Sequence, residues 1–144
     1  MKHWIKGTIK QAAWAPLTVV VVYVPAAMGL GVGIVLPWFD IPAHFFGGAA
    51  ITYFFAIGIT NLQRLLGTVP PVIQIALSLG LTAITAVLWE FLEYGADIAL
   101  GTRLNHGVAD TLSDLFFGFL GGVAAISMRI VVARRMKLLG RQGQ

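Results

Sequence analysis

The chain has 144 residues, of which 58% are hydrophobic and only 11% charged. Soluble domains carry about 25% charged residues, so this composition excludes a water-covered surface and implies one embedded in a bilayer. There is no cysteine, which excludes disulfides and thiolate metal sites. The net charge of +4 comes from lysines and arginines gathered mostly at the two ends. That placement encodes topology and gives no basic, aromatic-interleaved groove, so nucleic acid is not an expected partner.

The first element is a basic tail. Lys2, Lys6 and Lys10 repeat every four residues between Trp4 and Trp14. This pattern fits a short interfacial helix with lysines at the head groups, and equally a solvated tail. Four apolar stretches follow, each near the 20 or so residues that cross a membrane. They run approximately over 16–36, 43–63, 71–97 and 109–132. The expected fold class is all-α, an integral membrane four-helix bundle forming a single transmembrane domain over 1–144. The first stretch is longer than the apolar core of a signal peptide and reads as a mature helix. Pro25 is expected to kink it. The connections are short, which makes successive helices antiparallel neighbours.

Small residues mark expected helix contacts. Gly29 and Gly33 are four apart, as are Gly118 and Gly122, while Gly47, Gly48, Ala49 and Ala50 lie together near the start of the second span. Such spacing lets backbones approach closely in lipid, within the bundle or at a dimer face. Orientation follows from the basic residues. With four spans, the N-terminal lysines, Arg64, Arg129, Arg134, Arg135, Lys137 and Arg141 fall on one side, and only Arg103 falls on the other. The expectation is a multi-pass protein of the bacterial inner membrane with both termini cytoplasmic.

The same topology gathers all six acidic residues at the opposite end, together with His44 and His106. Asp40 and His44 are one turn apart on the second span, and Glu90, Glu93 and Asp97 share one face of the third. Asp110 and Asp114 are one turn apart on the fourth. Glu90 lies about 10 Å deeper than Asp97, where an ionised carboxylate is costly. Either protons retained on some carboxyls or a bound cation would relieve this crowding of like charge. Carboxylate with imidazole suits Zn, Mn or Fe, and carboxylate alone suits Mg. The expected metal ligands are His44, Glu90, Glu93 and Asp114. Asp40, Asp97, His106 and Asp110 form a possible additional site, although Asp40 and Asp97 also fit helix ends and Asp110 an N-cap. Trp38, Trp89 and Tyr94 read as interfacial aromatics.

The segments FDIPAHFFGG, WEFLEYGAD and ADTLSDLFFGFLGG resemble the YjdF-like family of small bacterial membrane proteins and, more distantly, VanZ-like proteins. Shared positions are Asp40, His44, Gly48, Glu90, Glu93, Asp110 and Asp114. The resemblance implies a polytopic fold with a polar site and no particular reaction. Here Arg64 lacks the acidic partner usual in that family, and the loop before the paired aspartates is shorter. Asp110 and Asp114 also form the D-x3-D spacing of membrane enzymes that hold metal–diphosphate groups. The second aspartate motif of those enzymes is absent. Three functions fit these residues: a metal-dependent enzyme acting on a lipid or envelope precursor, a cation or proton transporter, and a non-catalytic subunit of a larger membrane complex. No serine or cysteine nucleophile pairs recognisably with a histidine. A transporter of this size would be expected to homo-oligomerise, and Ser78, Thr82 and Thr85 would extend its polar path along the third span.

Overall fold

A computed structural model describes residues 2–26, 30 and 37–142. Among them there are helices and no strand. The order is α1 (Lys2–Ala12), α2 (Trp14–Val24), a single 3-10 turn (Pro37–Phe39), α3 (Asp40–Leu66), α4 (Pro71–Leu100) and α5 (Val108–Gln142). Three helices, α3, α4 and α5, are long and apolar enough to cross a membrane. The pair α1–α2, bent by 52°, passes the same test when taken as one span, which gives up to four crossings. The second half of the expected first span and its Gly29–Gly33 pair lie almost wholly outside the described residues.

The basic tail forms a helix, with Lys6 and Lys10 exposed and Thr8 and Ala12 buried on its other face. That face packs on α3, where Asn61 donates to the Thr8 hydroxyl at 3.1 Å. From there the bent pair follows α3 backwards. Trp14 meets Tyr53 at 6.0 Å between ring centres, and Tyr23 meets His44 at 6.3 Å. At Pro25 and Ala26 the backbone turns from α to π geometry, and the Leu30 amide donates to the Pro25 carbonyl at 3.0 Å. A marked bend lies between Ala12 and Trp14; the course of the helix past Pro25, where a kink is expected, lies almost wholly outside the described residues.

The closest helix contact joins α3 to α5, and it is built on glycine. A Cβ on Gly48 would collide with the Gly118 carbonyl, and one on Gly121 with the carbonyl of Phe45. One turn further along, a Cβ on Gly122 would stand 2.6 Å from the Thr52 hydroxyl. The two helices run parallel, so each contact repeats every four residues. His44 is one turn before Gly48, and Asp114 is one turn before Gly118. The glycine contact therefore sets these two side chains side by side, which places the Gly118–Gly122 spacing inside the bundle. The helix α4 starts on Pro71, where a missing amide costs nothing. It ends at Gly101, whose φ of 68° favours glycine.

Candidate metal centre

Three helices converge at the acidic end. His44 Nε2 lies 3.5 Å from Asp40 Oδ1 and 3.8 Å from Asp114 Oδ1. In each of two groups, Asp40–His44–Asp114 and His44–Glu90–Glu93, one potential ligand atom per residue lies within 4.8 Å of the others. Ligands about 2.1 Å from a divalent ion stand at most about 4.2 Å apart. Small side-chain rotations would therefore close either group on one ion. His44 is common to both.

Burial makes the cluster unusual. Glu90, Glu93 and Asp114 are 5%, 3% and 2% exposed. Glu93 is well supplied, because its Oε1 accepts from the Tyr23 hydroxyl at 2.7 Å and from the Trp89 indole at 2.8 Å. Neither oxygen of Glu90 makes a well-formed hydrogen bond among the described residues, although the Thr111 hydroxyl stands beside it, and neither does Asp114 Oδ2; His44 Nε2 has only its long approaches to Asp40 and Asp114. A buried group of this kind costs roughly 1–3 kcal/mol, and more when charged. A bound cation or retained protons would fill this bonding capacity.

The other acidic residues have different occupations. Asp97 holds the loop after α4, accepting from the Thr102 hydroxyl at 2.6 Å and from the Leu104 and Asn105 amides at 2.8 and 3.0 Å. Asp110 sits inside the first turn of α5 and accepts the His106 amide at 2.9 Å, so it caps the helix from within. His106 Nδ1 is 3.4 Å from Asp110 on the exposed rim. Asp97, His106 and Asp110 thus brace the loop, and Asp40 joins the buried cluster.

Two participants were not anticipated from sequence. Tyr23 is 7% exposed and its hydroxyl stands between Glu93 and Asp40, the latter at 3.0 Å. The available signal was a lone phenol in a charge-free apolar run, since a buried Tyr hydroxyl normally finds a partner. Trp89 faces inward and bonds Glu93 one turn away, whereas Trp38 and Tyr94 are exposed, as interfacial aromatics are. We expect Tyr23→Phe to lower stability by about 1.5–3 kcal/mol, the range for hydrogen bonds to charged groups. Thermal unfolding in detergent reads this directly, and a shift under about 0.5 kcal/mol, the scatter of an uninvolved site, would assign Tyr23 to packing alone.

The polar stripe of α4 is tied up in helix contacts. Ser78 and Thr82 are buried, and each hydroxyl bonds the carbonyl one turn back. Thr82 also bonds Thr52 across the α3–α4 interface at 2.7 Å.

Comparison with known proteins matches residues 8–135 to a family described as a predicted membrane protein (DUF2238). The chain is also 38% identical over 79 residues to an uncharacterized protein of Thermotoga maritima, covering 54% of this chain and 40% of that protein. The chain thus aligns with less than half the length of this relative. No solved structure matches it.

Proposed function

The chain belongs to the DUF2238 family of predicted membrane proteins, with which the YjdF-like resemblance is compatible, and from the geometry of its buried cluster we propose that it binds a divalent cation inside the membrane. The ligands are His44, Glu90, Glu93 and Asp114, with Asp40 completing the set. One observation carries this reading: two three-residue groups of buried or half-buried ligands, Asp40–His44–Asp114 and His44–Glu90–Glu93, share His44, and Glu90 and Asp114 in them keep carboxylate oxygens without a hydrogen bond among the described residues. An imidazole with several carboxylates suits Zn, Mn or Fe better than Mg. A cation held there would supply Lewis-acid character to a phosphate or carbonyl oxygen. Asp40, the least buried of the set, would serve as the proton acceptor where it does not ligate the cation. This favours a metal-dependent enzyme acting on a lipid or envelope precursor.

Metal analysis of the purified protein is the direct test. We expect about one divalent ion per chain and little in His44→Ala; a folded, metal-free wild type after supplementation with Zn, Mn and Fe would sink the proposal. Transport has less support, because the hydroxyls of Ser78 and Thr82 are occupied in helix contacts.

In our reading the site faces the non-cytoplasmic side of the inner membrane, since Arg64 and the Arg134–Lys137 cluster lie at the other end. A cysteine placed at Asn105, in a chain with no other, should react with an impermeant maleimide added outside spheroplasts. Labelling only after lysis would reverse the orientation.

A further inference from the structure

An apolar slot of about 110 Å³ adjoins the carboxylate cluster. It exists because α2 and α4 both pack on α3 and hardly on each other. Its floor is made of small residues on α3, Ala43 and Gly47. Val19 and Val20 of α2 form one wall, with Ala86 of α4 opposite. Val20 is 42% exposed, so the slot is open to the surroundings of the bundle.

The two ends of the slot differ. One end is closed by Tyr23, His44 and Trp89, which belong to the carboxylate cluster. The Tyr23 and Trp89 rings meet edge to face there at 5.7 Å. The other end reaches Pro16, Ile51 and Thr82. Each of these lies seven residues from its partner at the closed end, or about 10 Å along the helix. The slot is apolar along nearly its whole length, and only its end towards the membrane face abuts side chains of the polar cluster. A lipid in a leaflet has the same polarity, with its head at the surface and its chain directed inward.

We propose that this slot seats a stretch of one hydrocarbon chain of a bilayer phospholipid, with the phosphate head group towards the His44 end. The head-group placement rests on the cation reading above, whereas the seat for the chain does not. The slot ends against Tyr23, His44 and Trp89 of the cluster, which distinguishes this lipid from those that merely surround the bundle. It also identifies the substrate class as an amphiphile that enters sideways from the membrane.

The test uses full-length protein reconstituted in palmitoyl-oleoyl phosphatidylglycerol vesicles, re-extracted in mild detergent and analysed by native mass spectrometry. Wild type should retain one lipid per chain after the surrounding lipids are stripped. Ala86→Phe fills the slot from one wall and Gly47→Leu from the floor, where a Cβ meets only Val19, at 3.8 Å. Each should cut the retained fraction by about tenfold or more, since the chain loses its packing contacts together. Val87→Phe, at a position 40% exposed on the outer surface of α4, should leave retention unchanged. Retention unchanged in both filled variants, or no retained lipid in wild type, would overturn the proposal. So would a dimer dissolved by Ala86→Phe, which would make a second copy the occupant. Metal content is measured on the same samples. Loss of lipid from Ala86→Phe with metal intact supports the seat by itself. A lipid-loaded wild type without metal keeps the seat and removes the cation reading.

Discussion

Glu90→Gln should reverse the order of stability of wild type and variant when a divalent cation is added. Without cation, wild type holds a buried carboxylate with neither oxygen in a well-formed hydrogen bond. The amide has the same shape and no charge to desolvate, so the variant should be more stable by about 1–3 kcal/mol. With cation at 1,000 times its Kd, wild type should gain about 4.1 kcal/mol through linkage, more than that deficit. The variant loses a charged ligand and should gain little. Thermal unfolding in detergent with and without Mn or Zn reads both halves. Equal gains in the two proteins would exclude Glu90 as a ligand. A less stable variant without cation would show that the Glu90 carboxyl already has a partner in solution.

The second large effect is expected from one methyl group. In Gly48→Ala the new Cβ meets the Gly118 carbonyl, which is backbone and has no rotamer by which to move aside. The α3–α5 contact must then open, at a cost at or above the upper end of the roughly 1–3 kcal/mol typical of overpacking. His44 and Asp114 lie one turn from that contact and would separate with it. Cation binding should therefore fall together with stability, although no ligand has been changed. Gly80→Ala is the matched control. Gly80 is also inside a long helix, but nothing lies within 4 Å of an added Cβ. There alanine should stabilise by about 0.5–1 kcal/mol through its helix preference. If Gly48→Ala behaved like Gly80→Ala, the glycine contact would not be what sets the register.

Both predictions turn on features that the chain reveals to different degrees. The membrane class follows from a charged fraction of 11%, because no arrangement of so few charges covers a water-soluble surface. The gathering of acidic residues at one end follows from span lengths and short connections alone. Spacing along a helix is local information, so it places Glu90 and Glu93 on one face without any knowledge of neighbours.

Rotation of one helix against another is not local, and it is set by the contacts at each crossing. The sequence names Gly48 and Gly118 as small residues but does not say that they meet. Their meeting brings His44 to Asp114. The roles of the carboxylates divide in the same way. Asp40 and Asp97 look equivalent as helix-end residues, yet Asp97 is taken up by loop amides while Asp40 turns inward to Tyr23 and His44. Tyr23 belongs to a helix with no acidic residue, so no motif could have tied it to the site. Composition and periodicity determined a membrane helical protein with an acidic end. Only the packing of α2, α3, α4 and α5 decided which side chains share one buried space, because that depends on contacts between residues far apart in the chain.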